Sequence, residues 1–336
     1  MPNIKILDCT LRDGGYVNNW QFPDKTCAGI LEGLIRSNVD LIECGYLSKS
    51  KKNIYGTIFD NLNHFDSIRD QSLLVAMIDV ADVGDIPPYC GTGIKNLRVV
   101  FYKHQIEKAK ELIKDLVFKG YNVFVQPMVT VEYSIEELKD LSSSVGNVKG
   151  FSIVDSFGNM KLKQLLEMFD VLSHTLSPEV SIGFHSHNNK GSALHLALSL
   201  VKYCTLRKSD RTVIVDSSLN GMGRGPGNLQ TEIICDHLND EFDYQRYDIP
   251  HLCQIAMKYI APYKDTYAWG YDTFYFITAH LGFHPNYVRF IRDIDPLITS
   301  EDYMRFLQSL DPKYKTHCRL DQTRSLYSSF SHGILF

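Results

Sequence analysis

Residues 4–15 read Ile-Lys-Ile-Leu-Asp-Cys-Thr-Leu-Arg-Asp-Gly-Gly. An aliphatic run that stops at Asp, Arg and paired glycines is the signature of a buried strand whose carboxyl end opens onto a polar rim. The glycines let the backbone turn sharply there. The same pattern recurs along the chain. Strand-like runs occupy residues 4–10, 39–46, 73–79, 97–102, 121–129, 148–155, 180–187 and 212–219, eight in all. Helical patterns fall between them at 25–37, 105–119, 134–143, 161–176 and 190–203. Near-continuous apolar character suits parallel strands covered on both faces. Eight strand–helix alternations predict an α/β fold of the (β/α)8 TIM-barrel type over residues 1–240. A doubly wound sheet fits less well, because it would need fewer strands and a phosphate loop after the first.

Beyond the barrel, residues 241–336 are aromatic and helix-like, with patterns at 251–261, 272–281, 287–294 and 301–309. No Pro/Gly/Ser linker precedes them, so the expectation is a helical extension packed on the barrel, with residues 325–336 a loosely held tail. The 336 residues are 44% hydrophobic and 22% charged, which is the composition of a globular chain with a sizeable core. A net charge of −4 without long runs of one sign gives no electrostatic case for nucleic acid or an anionic membrane surface. No stretch approaches a membrane span. Residues 1–5 lead into the first strand without the regions of a signal peptide, so the expected location is cytoplasmic. The eight cysteines are scattered, with no CxxC pair, and are expected to be reduced.

In a TIM barrel the reactive groups come from the carboxyl ends of the strands. His185 and His187 end the seventh run and, being alternate residues on a strand, point the same way. Two imidazoles there can bind one divalent metal; the plainer alternative is a pair of rim hydrogen bonds. Asp13, at the first strand end, supplies the hard oxygen that would complete such a site, although Arg-Asp-Gly is also an ordinary turn. Arg12 beside it can hold a carboxylate or stabilise an enolate oxygen. Glu43 lies inside an apolar strand, an expensive place for a carboxylate unless Arg12 pairs with it. The eighth strand runs into a glycine-rich loop, residues 221–228, where Gly221 and Gly223 suit an anion cradle at a helix start and Asn228 can offer an oxygen to the metal. Asp155 and Asp216 sit at strand ends, either lining the pocket or capping the rim. Gln126 and Met128 face the mouth or interior. Lys103 and His104 read best as a solvated loop, and His284 and Tyr287 as packing residues.

Jointly, the segment from Asp8 to Gly15, Glu43, the two histidines and the Asn228 loop resemble the DRE-TIM metallolyase superfamily, over residues 3 to 240. The resemblance implies Mg²⁺ or Mn²⁺ held by Asp13, His185 and His187, with Asn228 a further ligand in some members. It implies that Arg12 stabilises an enolate and that Glu43 orients Arg12. The segment 267–274 is similar to the one where the aldolase branch keeps an active-site tyrosine, here Tyr271. Where those aldolases carry a catalytic histidine, this chain has Tyr16, and a neutral phenol is a poor base at pH 7. The implied reaction is carbon–carbon cleavage of a 4-hydroxy-2-oxo acid to a pyruvate-type enolate and an aldehyde, or the reverse condensation. Its rivals are an acyl-CoA-dependent Claisen synthase and a ligand-binding barrel that no longer catalyses. A homodimer and a partner dehydrogenase that receives the aldehyde are further expectations from the resemblance.

Overall fold

The computed structural model describes residues 3–50, 56–68, 70–316 and 318–332. Eight parallel strands form the barrel wall: β1 Ile4–Asp8, β2 Leu41–Leu47, β3 Leu74–Asp79, β4 Asn96–Phe101, β5 Asn122–Pro127, β6 Gly150–Asp155, β7 Ser181–Ser186 and β8 Val213–Ser217. Consecutive strands pair in order. The wall closes where β1 meets β8 along Ile4↔Val213 to Asp8↔Ser217 and meets β2 at Leu7↔Leu41 and Asp8↔Ile42. The α/β barrel expected from the alternation is therefore the fold.

Helices α1 Asp24–Arg36, α2 Ile106–Phe118, α3 Ile135–Ser144, α4 Leu162–Thr175, α5 Ala193–Leu206 and α6 Thr231–Glu241 cover the outside. Each is held by an apolar stripe at helical spacing. In α1 the stripe is Cys27, Ile30, Leu31 and Leu34, all buried. The start of α3 is fixed by a capping box, in which Ser134 accepts from the Glu137 amide and Glu137 accepts from the Ser134 amide. Inside the wall, Leu7, Val75, Phe124 and Ile214 form a separate apolar plug. Gly150 makes room for it, since a Cβ there would lie 2.6 Å from the Phe124 ring.

Two connections depart from the strand–helix alternation. Among the described residues no α-helix lies between β2 and β3 or between β3 and β4. Residues 80–95 carry Gly84, Pro87, Pro88, Gly91 and Gly93, which remove helix donors and backbone stiffness. A two-residue strand, Ile58–Phe59, instead runs beside β2. Gly45 permits that approach: its φ is +145°, and a Cβ would stand 2.0 Å from the Thr57 carbonyl oxygen.

The barrel's apolar packing continues past residue 240. Helix α7, Ile249–Ile255, continues through a wide turn at Ala256–Ile260 and lies on α1, where Gly33 makes room for Ile255 and Gly29 for Tyr259. Helices α8 Thr273–Leu281, α9 Asn286–Ile294, α10 Ser300–Ser309 and α11 Leu320–Ser331 then enclose a second core around Tyr287, Ile291, Tyr303, Phe306 and Tyr327. The expected loose tail is thus mostly ordered helix, because Tyr327 and Phe330 pack edge-on against Phe306; residues 333–336 lie outside the described residues. All eight cysteines are free. No helix among the described residues is long and apolar enough to cross a membrane.

Candidate active site

After β1 the chain folds into a tight turn on the Cys9 carbonyl, which accepts the Arg12 and Asp13 amides. Trp20 pins the turn from outside by donating to the Arg12 carbonyl at 2.7 Å. The result brings the Asp13 carboxylate to the two histidines at the end of β7. One donor atom each from Asp13, His185 and His187 lies within 4.8 Å of the others, the only such trio among the described residues. The histidine tautomers are set from behind. His185 Nδ1 is 2.9 Å from Asp216 Oδ2, and His187 Nδ1 is 3.1 Å from the Asp155 carbonyl. That leaves Nε2 of both rings for the site, with His187 Nε2 3.6 Å from Asp13 Oδ2.

Asn228 borders the group. Its Nδ2 donates to Asp13 Oδ2 at 2.8 Å and to the Met222 carbonyl at 3.1 Å, while its Oδ1 is buried with no partner. A buried amide oxygen without a donor is costly, and a cation beside it removes the cost. Two imidazole nitrogens and a carboxylate are a donor set that suits a divalent cation. Gly221 and Gly223 do not line the cavity. They let the loop fold back on Asn228: a Cβ on Gly223 would stand 2.6 Å from the Asn228 amide nitrogen.

Beneath the trio runs a buried ion network. Arg12 pairs with Asp13 and donates through Nε to Glu43 Oε2 at 2.6 Å. Arg98 reaches Glu43 at 3.4 Å and grips Asp216 through two nitrogens at 2.8 and 2.9 Å. Two guanidinium groups against three carboxylates leave one negative charge, which again favours a bound cation. Burial alone would raise the Asp13 carboxyl, but Arg12 and His187 hold it well below the usual carboxylate range. Burial likewise works against ionised Asp216, and Arg98 with His185 overrides it. Burial pushes His185 below the ordinary histidine value despite Asp216, so its imidazole stays neutral. Sequence reasoning missed Arg98. An arginine in the apolar run 96–101 carried the same signal as Glu43.

Above the trio is a cavity of ≈ 120 Å³. Arg12 points into it with Nη2 buried and unpaired, as does Gln126 with Oε1. Tyr16, 42% exposed, stands on its wall with its hydroxyl 3.1 Å from that of Tyr46. Burial, reinforced by Tyr16, raises the Tyr46 phenol well above its ordinary value. His284, expected to serve packing, instead lines the mouth together with Asn286 and Arg224. Two expected site residues are not brought here. Tyr271 is 73% exposed and absent from the lining, because the segment docks through Trp269, which donates to the Asn220 carbonyl, and Tyr275, which packs on Gly225. The Asp155 carboxylate turns away to accept the Asn159 and Met160 amides, and burial raises it to about 6.

A family model described as HMGL-like matches residues 3–257. The chain belongs to the HMGL-like family. Among its relatives, a 4-hydroxy-2-oxovalerate aldolase from Carboxydothermus hydrogenoformans is 28% identical over 77% of this chain and 77% of that one. Another from Pelotomaculum thermopropionicum is 26% identical over 70% of this chain and 69% of its own length. The N-terminal domain of a putative aldolase from Bacteroides vulgatus has the same fold, with a TM-score of 0.73 at 24% identity, covering 85% of this chain and 95% of that one. The HMG-CoA lyase from Brucella melitensis superposes with a TM-score of 0.61 at 16% identity, over 79% of this chain and 100% of its own. This HMGL-like chain keeps its strand-end aspartate and histidine pair at the convergence the geometry defines, while the matched region ends before its second core begins.

Proposed function

We propose that this HMGL-like protein is a divalent-metal-dependent carbon–carbon lyase that cleaves or forms a 4-hydroxy-2-oxo acid through a pyruvate-type enolate. The observation that carries the reading is the Asp13–His185–His187 trio, with an unpaired buried guanidinium nitrogen of Arg12 facing the same cavity. A divalent cation held by Asp13, His185, His187 and the Asn228 amide oxygen would supply Lewis-acid polarisation of a 2-oxo acid. Arg12 Nη2 is placed to donate to the enolate oxygen as charge grows there. Glu43 and Asp13 hold the rest of that guanidinium, so it does not reorganise during the reaction. The aldolase names of the relatives support the same reaction class.

In condensation, the enolate carbon attacks an aldehyde, a C–C bond forms, and the new alkoxide takes a proton. The Tyr16–Tyr46 hydroxyl pair is placed to give it. In cleavage the same proton returns to the pair as the C–C bond breaks and its electrons pass into the enolate. Burial keeps the Tyr46 phenol protonated at neutral pH, so the pair enters condensation with the proton to give and regains it from solvent. In cleavage it must first lose a proton to solvent before it can accept the substrate's. The test is solvent-deuterium exchange into the pyruvate methyl group, followed by proton NMR. Exchange is expected with Mn²⁺ and lost with a chelator or in His185→Ala. Equal exchange in all three samples would remove the trio from the chemistry.

A further inference from the structure

The reaction proposed above makes no use of Arg224, although this residue is held at the cavity mouth with unusual care. On one side, Gly225 sits at φ +61°, and a Cβ there would lie 2.6 Å from the Tyr275 ring. On the other, Gly223 is pressed against the Asn228 amide. The guanidinium is half-buried. It donates through Nη1 to Asn286 Oδ1 at 3.1 Å and lies 5.6 Å from the Tyr16 ring centroid. Among the described residues no carboxylate forms an ion pair with it. Asn286 fixes direction but brings no charge, so the cation is positioned yet not neutralised.

Its place along the cavity says which part of a substrate it would meet. At the floor Arg12 is already paired with Asp13 and Glu43, and its remaining nitrogen is buried without a partner. Arg224 instead bonds to Asn286, and Asn286, His284, Tyr102 and Val129 line both the inner cavity and a larger outer chamber of ≈ 910 Å³. Arg224 therefore stands where the inner cavity joins the chamber. Of the cations lining that chamber, Lys103 is paired with Glu137 at 2.7 Å, and Arg319 lies with Thr316 and Cys318 on the part of the wall not shared with the inner cavity. A molecule with its oxo-acid end on the floor would extend its far end past Tyr16 toward Arg224.

We propose that Arg224 recognises an anionic group, carboxylate or phosphate, at the end of the substrate remote from the 2-oxo acid, so that the aldehyde half carries a negative charge. The inference rests on the 2-oxo-acid reading of the site and names the substrate class within it. A charge-assisted contact in a partly desolvated mouth favours the charged ligand by about 10- to 100-fold over an uncharged one of the same length.

The experiment measures calorimetric Kd values on the Mn²⁺-loaded full chain for oxalate, 2-oxohexanoate and 2-oxoadipate. The last two differ only in the terminal carboxylate. Wild type is expected to bind 2-oxoadipate at least about tenfold more tightly than 2-oxohexanoate. In Arg224→Met that ratio falls to near one, and Arg224→Lys restores part of it. A wild-type ratio near one, or a ratio untouched in Arg224→Met, overturns the proposal. If oxalate still binds in that case, the metal-site reading survives alone. No binding of oxalate or either oxo acid defeats both. Condensation of pyruvate with carboxylate-ended, phosphate-ended and uncharged aldehydes of matched length then separates the two anion sources, and equal kcat/KM for all three overturns the assignment.

Discussion

In the barrel a buried network of charged groups, Arg12, Asp13, Glu43, Arg98 and Asp216, lies beneath the two histidines. In the second core, around α8 to α11, the buried polar groups are mostly hydroxyls: Tyr303 meets Thr278 at 2.7 Å, Tyr287 donates to the Tyr314 carbonyl, and Tyr327 donates to Asp295 at its edge. The barrel buries charges such as Arg98 and Glu43, whose desolvation costs stability that an apolar core would keep. The extension keeps an aromatic core that is neutral throughout, and it reaches the site only through its edge, at His284 and Asn286. Chemistry resides in the strand ends, and access is shaped by the helices laid across them.

The comparison breaks most readily at Arg98. Replacing it by Met leaves Asp216 buried without a guanidinium and Glu43 with Arg12 alone, and the expected loss is about 3–5 kcal/mol in chemical denaturation. A loss below about 1 kcal/mol would mean that the network is better hydrated than its burial implies. Metal affinity should also follow pH with a definite sign. Burial holds His185 below its ordinary value, so the neutral ligand survives into mildly acidic solution and becomes protonated only below about pH 6.5. Mn²⁺ titrations should therefore show affinity nearly flat from pH 8 down to about 6.5 and falling beneath it. A fall centred above pH 7 contradicts that environment for His185.

The extension should answer more quietly. Tyr303→Phe removes one buried hydroxyl contact, and about 1 kcal/mol of stability is expected to go with it, without a change in kcat. Tyr271→Phe, at an exposed position, should leave both stability and kcat within error; a clear loss of kcat would show that this segment closes over the site during turnover.

Much of the site was readable from the chain because strand-end position is a local property. Asp13, His185 and His187 each end an apolar run, and the twofold alternation of a strand places both histidines on one face. Glu43 was found because a carboxylate in such a run demands a partner. Arg98 offered the same clue and was overlooked, while Asp216 stayed open between pocket and rim. Asp155 was open between pocket and cap, and its carboxylate accepts the Asn159 and Met160 amides; a carboxylate that caps a turn and one that faces a substrate have the same local sequence. The two missing helices were hidden for a related reason: alternation elsewhere suggested them, but glycines and prolines in residues 80–95 govern their own stretch.

The sequence by itself determined the barrel and the trio, because hydrophobic periodicity and strand ends are written within a few residues of each other. Only the tertiary structure decided which charges meet. Asp13 and Asn228 are separated by 215 positions and Arg98 and Asp216 by 118, so their contacts depend on how the wall closes. The same holds at the mouth, where Arg224 from the β8 loop meets Asn286 from the extension. Local patterning fixes the faces of strands and helices, but distances across a closed barrel are set by its curvature and register.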